Sequence, residues 1–317
     1  MRAVRYHEHG GPEVLQVDDV PRPEAGHGEL LVRVEAAGVN PVDTYFREGA
    51  YPLPGLPWTP ASDVAGVVEA VGDGVGRFEP GDRVFATGLG RDRQGTCAEY
   101  VSVPEGLTAT LPGDCGFEEG AAVALVGVTA WQALVHHGDI EPGERVLVHS
   151  GSGGVGHVAV QLAAAAGAGV TTTAAPAYHD HLVDLGARTV LDYDRDDLAD
   201  AIADAGPPDL VLDTIADEYF ELDGEVAARG ATVVGIGNHS PTAPVPMGPG
   251  KFKDLRFQTM SMFNTPDTGA VLERLATLMT AGDVVPEIAG TYDLEGTADA
   301  QRDVLNESFL GKLVVTV

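Results

Sequence analysis

The stretch Val146-Leu147-Val148-His149-Ser150-Gly151-Ser152-Gly153-Gly154-Val155-Gly156 restricts what this chain can fold into more than any other. Three apolar residues in a row predict a short buried strand. Gly151, Gly153 and Gly156 then fit G-x-G-x-x-G, and Val158-Ala159-Val160-Gln161-Leu162-Ala163-Ala164-Ala165-Ala166 is a strong helix former. Strand, glycine turn and helix in that order suit a dinucleotide pyrophosphate. The first glycine makes the tight turn and the second lets backbone approach the phosphates. The third lets helix and strand pack closely, and the helix N-terminus offers free N–H groups and a positive dipole end to the anion. In a chain with 41 glycines the motif carries weight only because the flanking strand and helix are in place. Gly151, Ser152, Gly153, Gly154, Val155 and Gly156 are therefore candidate cofactor contacts.

The rest of the chain is organised around this unit. Residues 1 to about 120 read as all-β, with Val-rich strand patterns at Leu30-Leu31-Val32-Arg33-Val34-Glu35-Ala36 and Ala65-Gly66-Val67-Val68-Glu69-Ala70-Val71. Between them, the proline-dense Tyr51-Pro52-Leu53-Pro54-Gly55-Leu56-Pro57-Trp58-Thr59-Pro60 cannot be helix. Helical patterning begins near residue 121. Beyond the glycine stretch, strands at 170–173, 189–191, 210–212 and 232–236 alternate with helices at 178–185, 196–205 and 217–228, and 257–262 reads as a last strand. Repeated βα units predict a doubly wound parallel sheet. A helix at 270–280 follows. The tail Gly311-Lys312-Leu313-Val314-Val315-Thr316-Val317 reads as a strand returning to the β domain. The boundaries expected are 1–122 for the β domain, 123–265 for the Rossmann domain and 266–317 for the return.

Charge and cysteine content narrow the function classes. Net charge is −29, with 48 acidic residues against 19 basic ones, and the only lysines are Lys251, Lys253 and Lys312. Such a surface repels nucleic acid and acidic membranes. It also matches the acid-rich, lysine-poor proteins of salt-loving organisms, in which salt screens the self-repulsion. Cys97 and Cys115 cannot build a disulfide framework or a cysteine-rich zinc site. No signal peptide and no apolar run of membrane-spanning length is present, so a cytoplasmic protein is expected.

The order β domain, Rossmann domain, β tail resembles the medium-chain dehydrogenase/reductase superfamily, in its zinc-independent quinone oxidoreductase (zeta-crystallin-like) branch. The resemblance runs through His9-Gly10-Gly11-Pro12-Glu13-Val14-Leu15, Gly38-Val39-Asn40-Pro41-Val42-Asp43-Thr44-Tyr45, Ser62-Asp63-Val64-Ala65-Gly66, Gly81-Asp82-Arg83-Val84, Gly127-Val128-Thr129-Ala130 and Gly311-Lys312. It implies an α/β protein with a GroES-like β domain and a Rossmann domain. Where zinc-dependent relatives carry a ligand cysteine, this chain has Asn40. Where they carry Gly-His-Glu, it has Ala61-Ser62-Asp63, so no metal site is expected.

The resemblance further implies a nicotinamide pocket with Asn40, Tyr45 and Tyr51 as catalytic candidates. An amide N–H and tyrosine hydroxyls polarise or protonate a carbonyl. Arg47 reads as a surface or structural charge. Thr129, Gly235, Ile236, Gly237 and Phe263 are expected on the nicotinamide side, and Lys312 near the cofactor phosphates. No acid precedes Asp180 after the strand at 170–173, so NADPH is expected, with NADH the alternative. Thr172, Thr173 and Tyr193 are its ribose or phosphate candidates. The expected activity is NADPH-dependent quinone reduction. The alternatives are reduction of an activated C=C bond in an enone, acrylate or enoyl thioester, and a cofactor-binding structural or RNA-binding crystallin-like role. A homodimer pairing through 257–262 is expected.

Overall fold

Residues 1–317 are described by a computed structural model, which divides into Met1–Leu125 with Pro266–Val317, and Val126–Thr265. In the first unit, β1 (Arg2–Arg5) and β2 (Gln16–Asp19) pair antiparallel. The larger sheet is built on β3 (Glu29–Gly38). Val32, Val34 and Ala36 of β3 are buried, while Arg33 and Glu35 between them stay half-buried, the period-2 alternation of a pleated strand. β4 (Val64–Val71), β5 (Arg83–Ala86), β6 (Tyr100–Pro104) and β7 (Thr108–Thr110) extend this sheet with antiparallel pairings. Leu30, Val64, Val68, Val84, Leu89, Val101 and Val103 complete its core.

The region is not all β, as the sequence reading expected. Helix α1 (Pro41–Glu48) interrupts it. Its signals are local: Pro41 occupies the first turn, where its missing N–H costs nothing, and Gly49 ends the helix at φ 81°. A helix of eight residues within a Val-rich region leaves too short a periodicity to stand out. Arg47 on α1 is not a surface charge. It is fully buried; Nε donates to Gln301 Oε1 at 2.8 Å and a terminal N–H donates to Gly10 O.

The chain passes into the second unit within α2 (Phe117–Trp131). There β8 (Arg145–Val148), α3 (Gly154–Ala165), β9 (Gly169–Thr173), α4 (His179–Asp184), β10 (Thr189–Leu191), α5 (Leu198–Ala205), β11 (Leu210–Asp213), α6 (Ala216–Val226), β12 (Thr232–Gly235), α7 (Met247–Lys253) and β13 (Arg256–Thr259) follow. Every strand pairing is parallel, in the order β10-β9-β8-β11-β12-β13. The order reverses between β8 and β11, the topological switch point where doubly wound sheets take ligands at their carboxyl ends. The last strand is shorter than the expected 257–262, because Met262 already lies in a 3₁₀ turn.

The chain then returns to the first unit as α8 (Thr268–Ala281), β14 (Ile288–Tyr292), α9 (Thr297–Asn306) and β15 (Lys312–Thr316). β15 pairs antiparallel with β3, Val314 opposite Gly38. Leu294, Ala300, Leu313 and Val315 pack with Val4, Ala37 and Val39 in one cluster, so the C-terminal segment completes the core that the N-terminal segment begins. No helix is long and apolar enough to cross a membrane.

Candidate functional site

Val146, Leu147 and Val148 are each at most 1% exposed, roughly 1.5–3 kcal/mol of burial per side chain. That anchors β8 and delivers the glycine turn to the carboxyl edge of the sheet. Ser150 opens the turn in the left-handed region, at φ 56°, which costs a non-glycine residue about 1–2 kcal/mol. Two contacts hold it there: its N–H donates to Thr173 Oγ1 at 3.1 Å, and its Oγ lies 2.8 Å from Thr214 Oγ1. A Cβ on Gly151 would strike the Thr172 hydroxyl, and one on Gly156 would strike the Ser150 carbonyl. Only glycine lets α3 begin so close to β8 and β9. The α3 N-cap, Gly153, provides no side-chain cap and the first turn carries no acid. Its leading N–H groups are left for an anion.

The structure brings part of the remaining cofactor set to the same edge. Ile236 N–H donates to Asp213 O and Ala216 N–H to Gly237 O, both at 2.9 Å, and a Cβ on Gly237 would strike Thr214 O. Gly235, Ile236 and Gly237 are thus tied to the residues that flank Ser150's partner. Tyr193 follows β10 with its ring half exposed. Thr129 is buried on α2, and Phe263 lies in the turn after β13.

Four of the sequence assignments are corrected, those of Thr172, Thr173, Lys312 and Asn40. Thr172 is fully buried and its hydroxyl donates to Val148 O at 2.7 Å. Thr173 is 1% exposed and its oxygen receives the Ser150 N–H. Both hydroxyls build the turn rather than reach a ribose or phosphate. Lys312 is also unavailable to a phosphate. It is 3% exposed, and its ammonium donates to Val39 O and Asn40 Oδ1, each at 2.5 Å.

That ammonium belongs to a buried polar cluster of the first unit. Asn40 is 1% exposed. Its Nδ2 donates to Asp63 Oδ2 at 2.8 Å, while its backbone N–H donates to Asp43 Oδ2 at 2.9 Å. Asp63 Oδ1 receives Leu125 N–H at 2.8 Å. Burial pushes the Asp43 carboxyl up to about 7, against the opposing backbone hydrogen bond from Asn40. Burial likewise raises Asp63, against the pull of Lys312, and burial lowers Lys312 against the pull of Asp63 and Asp43. Asn40 has its amide committed inward, which corrects the expectation that it donates to a substrate. It acts as a positioning residue for α1. Asp43 and Asp63, absent from the sequence's candidate set, are the acids that hold it; Asp63, a charge directly ahead of the apolar strand β4, was the signal.

Tyr45 and Tyr51 come together. Their rings meet edge to face at a centroid distance of 6.0 Å, with Phe46 5.7 Å from Tyr51. Tyr45 is half-buried and Tyr51 exposed. Burial raises the Tyr45 hydroxyl, keeping it a neutral donor. The first unit thus offers an aromatic wall carrying two hydroxyls.

The alcohol dehydrogenase GroES-like domain family matches residues 26–134, and the zinc-binding dehydrogenase family matches residues 185–315. The quinone oxidoreductase of Lama guanicoe is 36% identical over 327 residues, covering 99% of this chain and 97% of the relative. A crystal structure of an NAD-dependent alcohol dehydrogenase has a TM-score of 0.93 at 32% identity, with 100% of both chains covered. The Escherichia coli quinone oxidoreductase complexed with NADPH has a TM-score of 0.90 at 28% identity, again over 100% of both chains.

The buried cluster yields a pH-dependent prediction. Carboxyls whose folded pKa is raised keep their protons below it, so they need the ammonium least in acid and most above neutrality. Lys312→Met should therefore cost about 3 kcal/mol of unfolding free energy at high pH, and clearly less in acid, well below the raised Asp43 carboxyl at about 7. Urea unfolding at the two pH values reads the difference. An equal cost at both would show that the ammonium does not hold these carboxylates.

Proposed function

The chain belongs to the quinone oxidoreductase family of the medium-chain dehydrogenase/reductase superfamily, and from that membership we propose that it reduces a quinone with NADPH and without zinc. The observation that carries the reading is the glycine turn ahead of an uncapped α3 at the switch point of the parallel sheet. The residues fit a dinucleotide: Gly151, Ser152, Gly153, Gly154, Val155 and Gly156 offer backbone N–H groups to the pyrophosphate, with no acid in the first turn to repel it. Bound there, the nicotinamide supplies a hydride. Gly235, Ile236 and Gly237 present backbone at the same carboxyl edge, and Thr129 and Phe263 complete the proposed nicotinamide side. NADPH is favoured over NADH because no acid follows β9 before Asp180 to repel a 2′-phosphate. The exposed Tyr193 is the proposed partner there.

Tyr45 and Tyr51 are the proposed substrate contacts. Their rings suit a flat quinone and their hydroxyls can donate to its oxygens. Independence from zinc is supported by the donor chemistry around Asn40. An ammonium already donates to Asn40 Oδ1, and a dication would be repelled by Lys312 and offered no thiolate or imidazole. Two further features are proposed with the activity. The acid-rich, lysine-poor surface suits a salt-loving source and a cytoplasm of high ionic strength, and β13, with one side unpaired in the sheet order, is the edge for a homodimer.

Gly153→Val separates cradle from fold. A Cβ there meets only Ser150 O, at 3.3 Å, so the protein should fold while the side chain obstructs the pyrophosphate. The Kd for NADPH should rise at least about tenfold, a loss of ~1.4 kcal/mol; a folded variant with unchanged affinity would sink the cradle assignment.

Turnover of one quinone and one enone, with NADPH and with NADH, tests the chemistry. A quinone delocalises the charge it gains and needs little protonation help, whereas an enone develops a localised oxyanion. Tyr45→Phe should lose a few-fold on the quinone and about a hundredfold on the enone if it donates a proton. Activity should survive dialysis against a strong chelator. Loss of activity with the metal, or turnover of the enone alone, would replace this reading with a metal-dependent one or with C=C reduction.

Light scattering and thermal unfolding over a salt series address the remaining two features. A dimer whose Tm climbs with salt is expected. A monomer at all salt concentrations rejects the β13 interface, and a Tm indifferent to salt rejects the halophilic reading.

A further inference from the structure

Beneath the glycine turn lies a cluster that the cradle itself does not use. His149 ends β8, Asp213 ends β11, and Asp223 lies on α6; all three are 0% exposed. His149 Nε2 is 2.9 Å from Asp223 Oδ1. The imidazole stacks on Tyr219 with centroids 4.4 Å apart and 12° between planes. Asp213 Oδ1 receives Ile215 N–H at 2.7 Å. The second oxygen of each acid, Asp213 Oδ2 and Asp223 Oδ2, is buried without a hydrogen-bond partner, and the charge of Asp223 bears on the Asp213 carboxyl. Two ionised carboxylates so placed repel across a low dielectric and leave two lone-pair sites unsatisfied. A proton on Asp213 removes the repulsion and the lone-pair cost on that carboxyl.

The cluster is wired to the turn from two sides. On one side, Asp213 is followed by Thr214, whose hydroxyl meets Ser150 Oγ at 2.8 Å. On the other, His149 is followed by Ser150, and His149 Nδ1 lies 3.4 Å from Thr173 Oγ1, the acceptor of the Ser150 N–H. Ser150 is the residue held in the left-handed region. Its conformation therefore depends on where the ends of β8 and β11 sit.

We propose that Asp213, Asp223 and His149 are positioning residues for the glycine turn, and that a proton held by Asp213 keeps the turn in its nucleotide-binding form. The proposal rests on the reading of the turn as a dinucleotide cradle. The groups facing His149 are Asp213 from β11 and Asp223 and Tyr219 from α6, while β9 contributes only the hydroxyl of Thr173. Burial, and then the charge of Asp223, push the Asp213 carboxyl up to about 7. Burial pulls the imidazole down, but the charges of Asp223 and Asp213 outweigh it and leave His149 raised. The sign follows. An acid with a raised folded pKa holds its proton below that value and loses it above. Above neutrality the carboxylates repel, the end of β11 separates from α6, and Thr214 withdraws from Ser150.

The test uses the full-length protein and NADPH, whose fluorescence reports binding. Between about pH 6 and about pH 8.5, across the raised carboxyl, the wild-type Kd should rise about tenfold. Asp213→Asn keeps a neutral group of the same shape and should hold the acid-side Kd at both. A flat wild-type profile, or an Asp213→Asn profile that tracks the wild type, overturns the proposal. Asp223→Asn provides the same comparison from the other carboxyl should Asp213→Asn not fold. Amide-exchange protection at residues 150–156 without nucleotide is the independent readout. Protection that falls above neutrality in the wild type, and not in the variant, supports the clamp even where NADPH binds at neither pH, an outcome that sinks the cofactor reading instead. Protection unchanged by pH in the wild type overturns the clamp.

Discussion

The second unit depends on how closely α3 starts against β8 and β9. Backbone meets backbone there: Gly151 N–H donates to Thr173 O at 2.8 Å and Gly153 N–H to Ser150 O at 3.0 Å. With no Cβ at Gly151 or Gly156, the helix approaches without displacing Thr172 or the Ser150 carbonyl. That closeness leaves the helix's free N–H groups facing outward at the carboxyl edge, where its dipole acts on an anion. It also strains Ser150, and the strain is borne by hydroxyls from β9 and from the residue after β11. The turn is therefore held by three parallel strands together, β8, β9 and β11, rather than by its own sequence alone.

In the first unit a buried ammonium takes the organising part. Lys312 enters on the last strand, joins Val39 O and Asn40 Oδ1, and sits with Asp43 and Asp63. A cluster of this kind adds little net stability over an apolar core, since desolvation offsets most of the attraction. It does fix geometry. Asn40 N-caps α1, so the register between β15 and β3 sets where α1 begins and hence where Tyr45 stands. Arg47 adds a second tie from α1 to Gln301 of α9. Both ties join α1 to the C-terminal segment of the chain.

The chain's three lysines sharpen the meaning of its acidity. Lys312 is buried, and Lys253 donates to the carbonyls of Gly224, Glu225 and Ala227. These last carbonyls of α6 and its exit lack helical partners, and an ammonium with three donors satisfies them and meets the negative dipole end. Two of the three lysines thus serve internal acceptors where a compact triple donor fits. The surface is left to carboxylates, with arginine as the main counter-charge, an arrangement suited to strong screening.

Local sequence determined much of this. G-x-G-x-x-G between an apolar triplet and an alanine-rich run specified strand, cradle and helix, because glycine's lack of a Cβ acts within a few residues. Repeated βα patterns specified a parallel sheet, and the Val-rich tail specified a strand. The short α1 escaped notice although Pro41 and Gly49 marked its ends, since eight residues give too little periodicity against a β background. Contacts across the chain were beyond local reading. Thr172 and Thr173 looked like ligand hydroxyls until the parallel ladder placed them under Val148 O and Ser150 N–H. Asn40 and Lys312 looked like substrate and phosphate contacts until β15 paired with β3 and brought them together, 272 residues apart. His149, Asp213 and Asp223 carried no local signal at all. Sequence spacing fixes which side chains share a strand or helix, but the partner of a buried polar group is chosen by strand order and register, and these exist only in the folded chain.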